Sequence, residues 1–457
     1  MKRIISRLDI KGQNVIKGVH LEGLKIIGDP EELSRKYSND GADEIYFHDT
    51  VASLYERNNL FELVERVASN ISIPLTVSGG LKKVEDIEKA LISGADKVSL
   101  NTIFHKDISL ISKIVKIFGA QAIVGSIEAK KINNEWVAFT DNGRTNTKKN
   151  VLEWVKKLQD EGIGEIVVTS VDFEGTQKGF DLELLNNLNL IVKVPLILSG
   201  GIGNIGDIEK VFKIPCSSGV TISSVLHYDK LKISEIKNRN SKIKEIKKIN
   251  IIKQNKKITV LKSKICNIKS LTNSLKKVAD FEIVDNFNPK KIDKLILPGV
   301  GSFSEFAKGI RDDQKNSIIE FSKLNKPILG ICLGAQFLFS KSFEHGNFDG
   351  LNLISGNVIN IKDIEKKKNI LSPNIGWYEI EKIDNKLFKD IPDRSKFYFI
   401  HSYNFQPADK KILTSKIINS NINAVCIKNN LIACQFHPEK SGEIGIKFLE
   451  NFVKDKD

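Results

Sequence analysis

No stretch of this 457-residue sequence approaches the roughly 18 apolar residues that a membrane-spanning helix requires, so no membrane partner is expected. The N-terminus, Met1-Lys2-Arg3-Ile4-Ile5-Ser6-Arg7, runs straight into charged sequence and lacks the apolar stretch of a signal peptide. Cysteine is scarce. The five residues, Cys216, Cys266, Cys332, Cys426 and Cys434, are an odd number without paired spacing. That argues against a disulfide framework and for a reducing, cytoplasmic setting. A nucleic-acid recognition motif is also missing. The formal charge is +14, but the lysines are spread along the chain, so no nucleic-acid partner is expected. No metal or cofactor is expected either. What is present is ordinary for a soluble globular protein: 41% hydrophobic and 28% charged residues. The length calls for two domains.

Residues 1–235 alternate short β-branched runs with amphipathic stretches. Ile45-Tyr46-Phe47, Leu75-Thr76-Val77, Lys97-Val98-Ser99-Leu100, Ile123-Val124-Gly125, Ile166-Val167-Val168 and Leu196-Ile197-Leu198 read as buried strands, with helical spacing in segments such as 86–93 and 152–162. About eight such units point to an α/β fold of the closed-barrel kind, a (β/α)8 TIM barrel. An internal repeat supports this. Val77-Ser78-Gly79-Gly80 precedes Asp86-Ile87-Glu88-Lys89, and Leu198-Ser199-Gly200-Gly201 precedes Asp207-Ile208-Glu209-Lys210. Both elements recur at one offset, 199 − 78 = 121 and 207 − 86 = 121. Asp49 and Asp172, and Asp9 and Glu128, recur at nearly the same offset. Residues 236–257 are basic and polar, without glycine, and read as a linker with some helical character. A second α/β pattern fills residues 258–457, through Ile258-Thr259-Val260-Leu261, Lys294-Leu295-Ile296-Leu297, Pro327 to Ile331 and Ile432 to Phe436.

In this second domain, Gly330-Ile331-Cys332-Leu333-Gly334-Ala335-Gln336 has the strand–turn–helix layout of a nucleophile elbow. Glycines permit the tight turn, and a following helix start favours thiolate. Phe436-His437-Pro438-Glu439-Lys440 follows another strand. His437 can serve as base and Glu439 as its orienting acceptor. Pro298-Gly299-Val300-Gly301 offers a turn whose backbone N–H groups, around Gly299 and Gly301, suit an oxyanion hole. On these motifs the domain resembles the class I, triad-type glutamine amidotransferases. With Asn374-Ile375-Gly376-Trp377 and Tyr398-Phe399-Ile400-His401-Ser402-Tyr403 it looks like the glutaminase subunits of imidazole glycerol phosphate synthases. The resemblance implies that Cys332 attacks the amide of glutamine and forms a glutamyl thioester. It implies that His437 is base and then acid, and that Gln336 helps hold the substrate. Where that family has a glycine-rich turn after its first strand, this chain has Lys262-Ser263-Lys264-Ile265-Cys266-Asn267.

In the first domain, Ser78-Gly79-Gly80 and Ser199-Gly200-Gly201 sit at strand ends, where small residues let backbone N–H groups approach a phosphate. Two copies suggest a bisphosphate ligand. Asp9, Asp49, Glu128 and Asp172 would line the same face, with Asp9 and Glu128 an acid–base pair between the phosphates. Asp9-Ile10-Lys11-Gly12, Val15-Ile16-Lys17-Gly18, the run from Gly94 to Thr102, and Gly164-Glu165-Ile166 make the domain similar to the cyclase subunits of the same synthases. That resemblance implies a barrel that takes ammonia and a phosphorylated ribulosyl aminoimidazole carboxamide. It would release imidazole glycerol phosphate, for histidine synthesis, and an aminoimidazole carboxamide ribotide. Asp9 would be catalytic, Lys17 would touch substrate from a loop, and Gly80, Asn101, Thr102, Gly201 and Ser224 would bind phosphate. The match departs at Glu128, where the family has Asp, at Glu174-Gly175-Thr176, where it has Asp-Gly-Thr, and at Ser78, where it has Gly. Two alternatives stay open: a paralogue that feeds ammonia to a sugar-modifying partner in surface-polysaccharide synthesis, and a non-catalytic barrel that binds a phosphorylated ligand. Arg3, Glu44, Lys97 and Glu165 stand near predicted strand starts. They also match the resembling cyclase's gate residues, which implies a ring of salt bridges gating an ammonia channel along the barrel axis.

Overall fold

Eight strands carry the first half of the chain: β1 (Arg3–Lys11), β2 (Glu44–Asp49), β3 (Leu75–Ser78), β4 (Lys97–Leu100), β5 (Ile123–Ile132), β6 (Glu165–Ser170), β7 (Leu196–Ser199) and β8 (Ser217–Ile222). Each pairs in parallel with the next, and β8 pairs back onto β1. This is the closed parallel barrel expected from the alternating pattern. The computed structural model describes residues 2–50, 59–240, 250–262, 268–366 and 370–454. Most of the altered loop, residues 263–267, lies outside the described residues. Two compact units divide the chain: Met1–Val115 with Ala120–Glu245, and Lys116–Gly119 with Ile246–Asp457. Among the described residues no helix is long and apolar enough to cross a membrane.

The barrel interior is layered by the two-residue period of its strands. Arg3, Glu44, Lys97 and Glu165 bond to one another at the N-terminal ends. Ile5, Tyr46, Val124, Val167 and Ile197 form an apolar cluster, each no more than 2% exposed. At about 1.5–3 kcal/mol per buried side chain, this plug adds to the barrel's stability. Arg7, Asp9, His48, Ser78, Ser126, Glu128, Thr169 and Ser199 follow toward the C-terminal ends, all buried.

The sequence repeat has a backbone counterpart. Gly79, Gly80, Gly200 and Gly201 all have positive φ, from 72° to 100°, a region side-chain-bearing residues rarely adopt. A Cβ on Gly79 would meet the Asp49 carbonyl at 2.1 Å, and one on Gly200 the Ser170 carbonyl at 2.8 Å. Asp86 accepts from the Lys82 and Lys83 amides at 2.9 and 3.2 Å, and Asp207 from Gly203 and Asn204 at 3.0 and 3.1 Å. Each aspartate thereby satisfies amides before the helix it starts, Val84–Ile92 or Ile205–Phe212. The halves also share an arm. Antiparallel pairs Asn14–Val19 with Glu22–Gly28, and Glu135–Thr140 with Thr145–Asn150, extend β1 and β5.

In the second unit, β9 (Gln254–Leu261), β10 (Ala279–Val284), β11 (Leu295–Leu297), β12 (Ile328–Ile331), β13 (Leu413–Lys416), β14 (Asn423–Lys428) and β15 (Leu431–Cys434) form one sheet in the order β10-β9-β11-β12-β15-β14-β13. Its first five strands are parallel, and the last two join antiparallel. Alternate residues feed opposite cores. Val260, Ile296 and Leu329 pack on one face with Phe436 and Phe448; Leu261, Leu295 and Ile328 pack on the other with Phe303 and Phe337. Both faces are therefore apolar, as a sheet covered on two sides requires.

Candidate active sites

In the second unit, β12 runs into a short helix, Leu333–Phe337, with Cys332 at the joint. Cys332 has φ +51°, a left-handed conformation held only where the surroundings enforce it. The flanking glycines let the turn pack tightly. A Cβ on Gly330 would meet Ala335 Cα at 2.6 Å, and one on Gly334 the Leu297 carbonyl at 1.9 Å. The helix is only five residues long, so its dipole contributes little, and activation of the thiol falls to side chains.

Those side chains come from the end of β15. His437 Nδ1 pairs with Glu439 Oε1 at 2.7 Å. Burial works against a charged imidazole, but Cys332 and Glu439 outweigh it and hold His437 protonated well above the usual histidine range. His437 thus bonds Glu439 directly, and Cys332 lies near enough to favour its charge. Leu333, the residue after Cys332, points its N–H at the Gly299 carbonyl, 3.4 Å away. The expected hole thus meets a Gly299 carbonyl on that side, rather than an amide. Gly299 has no room for a side chain, since its Cβ would meet Phe306 at 2.7 Å. Gly301 has φ +101°.

Gln336 does not stand alone. Its amide donates to the Tyr403 carbonyl at 2.9 Å and to Gln435 Oε1 at 3.1 Å. Gln435 in turn donates to the Cys332 sulfur at 3.5 Å. Sequence reasoning passed over Gln435, although its place two residues before His437 on a strand end was a usable signal. It also left His401 without a role. His401 Nδ1 donates to the Tyr403 carbonyl at 2.8 Å, and Nε2 meets the Asn374 amide at 3.1 Å. Burial, helped by the charge on His437, pushes it down to about 4, so it is a neutral ring beside a charged one. Glu344 was missed too. It is a buried carboxyl, pushed up to about 7 by that burial, bonded to the Phe303 amide at 2.7 Å.

At the barrel mouth, Asp49, Gly79, Gly80, Asn101, Thr102 and Glu128 line one cavity of about 260 Å³, together with His48 and Asn142. Glu128 accepts from the Gly143 amide at 2.7 Å. Burial pushes its carboxyl up to about 7. Burial also pushes His48 down to about 4, and its ring bonds Asn142 at 2.8 Å. Asp9 belongs to a different group. Arg7 Nε donates to one of its oxygens at 2.8 Å and Lys17 Nζ to the other at 3.0 Å. Lys17 also pairs with Glu174. Asp9 and Glu128 are therefore both at the mouth, but in unlike surroundings.

The second copy of the repeat is built differently. Ser199 accepts from Arg7 Nη1 at 3.1 Å, and Gly201 accepts from the Gly179 amide at 2.7 Å. Gly175 packs on the backbone of Gly18, with only 2.5 Å available to a Cβ. Ser224 opens the short helix Ser224–His227. Asp172 lies past β6 and accepts from the Lys131 amide at 2.8 Å; it does not line the cavity at Glu128. At the other end, Arg3 and Lys97 alternate with Glu44 and Glu165 in a closed ring. Arg3 pairs with Glu44 at 2.9 Å, Lys97 with Glu44 at 2.8 Å, and both cations pair with Glu165. Burial disfavours the charged Glu165, but Arg3 and Lys97 outweigh it and hold it ionised.

Comparison with known proteins matches this division. A family model described as Histidine biosynthesis protein matches residues 3–232. One described as Glutamine amidotransferase class-I matches residues 248–456. The imidazole glycerol phosphate synthase subunit HisF of Legionella pneumophila is 52% identical over 204 residues, 44% of this chain and 96% of that protein. The subunits of the same name from Natranaerobius thermophilus and Sulfurisphaera tokodaii are each 42% identical, over 237 and 236 residues, covering 52% of this chain and 94% of theirs. The chain therefore belongs to the histidine biosynthesis protein family, as an enzyme that joins the family's barrel to a class-I glutamine amidotransferase domain.

Proposed function

We propose that the chain is a glutamine-dependent imidazole glycerol phosphate synthase of histidine biosynthesis. The observation that carries this reading is the presence, in one chain, of the Cys332–His437–Glu439 triad and a barrel mouth with an open cavity at Gly79, Gly80, Asn101 and Thr102. In the triad, the Cys332 thiolate adds to the amide carbon of glutamine. The imidazolium of His437 gives its proton to the departing nitrogen, which leaves as ammonia. Water then cleaves the thioester, with His437 as base. Ammonia would pass along the barrel axis, through the Arg3–Glu44–Lys97–Glu165 ring, to the mouth. Such a route has a purpose, because free ammonia near neutral pH is mostly ammonium and no nucleophile.

At the mouth, the cavity suits one phosphate of the ribulosyl aminoimidazole carboxamide substrate, with positive-φ glycines clearing its approach. Glu128 lies in the same cavity, placed for proton transfer. Neither delivery of ammonia to a sugar-modifying partner nor binding without catalysis is favoured by an observation of its own. The test is to mix purified protein with the bisphosphate substrate and either glutamine or ammonia. Imidazole glycerol phosphate is expected from both. Glutamate release without imidazole product from either nitrogen source would overturn the reading.

A further inference from the structure

Arg7 belongs to no motif in the sequence, yet it is buried inside the barrel beside Asp9. It faces inward from β1, in register with Tyr46 on β2, and is 4% exposed. A guanidinium there costs several kcal/mol unless it is paired. Its pairing is specific. Nε donates to Asp9 at 2.8 Å, and Nη1 donates to Ser199 at 3.1 Å and to Thr169 at 3.2 Å. Its carbon lies 5.9 Å from the Tyr46 ring centre. One side chain on β1 thus ties together Asp9, the end of β6 and the serine of the second glycine turn.

The consequence falls on Asp9. Arg7 holds one of its oxygens and Lys17 the other. A proton arriving on Asp9 would have to replace a charge-assisted bond to a cation, the strongest class of hydrogen bond in proteins. Glu128 is placed otherwise. It accepts from the neutral Gly143 amide, the neutral Asn101 side chain also favours its charge, and it opens onto the cavity. The groups that face it are Arg7 from β1, Asp141 and Gly143 from the β5 arm, and Asn101 after β4. Among these Asp141 opposes its charge, and Arg7 favours it without bonding it.

We propose that Arg7 is a positioning residue that fixes Asp9 as a standing negative charge, and that Glu128 alone exchanges protons during turnover in the barrel. The second half of this inference rests on the reaction proposed above; the first half does not. The electrostatics agree. Burial works to raise Asp9, but Arg7 and Lys17 outweigh it and hold it well below the usual carboxylate range. Burial carries Glu128 up to about 7. The chain thus has one carboxylate for charge and one for protons, where the sequence suggested two partners of equal standing.

The experiment follows carboxyl protonation by infrared difference spectroscopy in the substrate-free protein, alongside the pH profile of ammonia-driven turnover. In the parent, one barrel carboxyl should titrate near neutrality and vanish in Glu128→Gln, while Asp9→Asn should remove no titration between about pH 4 and pH 8. Arg7→Met should bring a second titrating carboxyl into that range, absent from Arg7→Met/Asp9→Asn. It should also slow turnover on the order of 10- to 100-fold, with Arg7→Lys recovering most of the loss. A parent Asp9 that titrates in the range, or an Arg7→Met protein with unchanged spectrum and profile, would overturn the proposal. If Arg7→Met does not fold, the parent and Asp9→Asn spectra still decide. If the parent never turns over the bisphosphate, the functional reading fails, while the titration still decides the role of Arg7.

Discussion

Beside Cys332, one pair, His437 with Glu439, carries the charge. At the barrel mouth, Arg7, Asp9, Lys17 and Glu174 form a linked set of buried charges, and Glu128 stands apart from it. The first site combines a left-handed backbone at Cys332 with a His437 held protonated well above the usual histidine range. The second spreads charge over β1, its arm and the loop after β6, and holds the Glu128 carboxyl up at about 7. The difference follows from the chemistry proposed for each. Covalent catalysis needs one group made reactive. Binding and cyclising a charged substrate needs a fixed field and one mobile proton.

The deepest cut through this comparison is Cys332→Ala. It should reduce glutamine hydrolysis by about 10⁴-fold or more, to background, and leave ammonia-driven turnover intact. Glutamate release measures the first and product formation from ammonium salts the second; surviving hydrolysis would remove Cys332 from the mechanism. Next comes the mouth. Glu128→Gln should lower ammonia-driven turnover by on the order of 10²- to 10⁴-fold. Asp9→Asn should stop cyclisation with either nitrogen source without preventing glutamine binding. A near-normal rate in Asp9→Asn would place the barrel chemistry elsewhere.

Lys97→Ala is a smaller and more diagnostic change. Glutamine should still be hydrolysed, but more glutamate should form than cyclised product. A ratio that stays at one-to-one leaves the ring as scaffold. The same variant strips one partner from buried ions, so a loss of about 3–5 kcal/mol in unfolding free energy is expected, read from denaturant melts. The smallest effect is on stability against pH. Folding raises the Glu128 carboxyl from 4.5 to about 7, so between those values the folded protein binds more protons than the unfolded chain. Its contribution therefore falls as pH rises through this window and stays low above it. Glu128→Gln removes that penalty. Its melting temperature should exceed the parent's by several degrees at about pH 8 and by little at about pH 5. An equal shift at both values would mean that Glu128 is ionised throughout.

The two sites were also unequally legible. The triad lies in two short segments, Gly330 to Gln336 and Phe436 to Lys440, each a strand end with its turn. Local sequence carries such a feature whole, because glycine spacing and the nucleophile's position are set within one turn. The barrel repeat was legible for the same reason. Ser-Gly-Gly and Asp-Ile-Glu-Lys encode a positive-φ turn and a helix start, and both copies form them. The inequality of the copies was not legible. Ser199 is engaged by Arg7 from β1, 192 residues away in sequence, whereas Gly79 and Gly80 open onto the cavity. Asp172 was read as the twin of Asp49, but only Asp49 lines that cavity.

What the sequence determined by itself was the alternation that closes an eight-stranded barrel, the sheet domain after it, and the tight turn that carries Cys332 between strand and helix. These depend on period, turn chemistry and glycine, which neighbours in the chain specify. What only the tertiary structure decided was which charges meet. Arg7 with Asp9 and Lys17, Gln435 with Cys332 and Gln336, and the closed ring of Arg3, Glu44, Lys97 and Glu165 join side chains from different elements. The ionisation of Asp9 and Glu165 follows from burial and from partners brought close by folding, and an ion's energy depends on those distances and on the exclusion of water, neither of which is written along the chain.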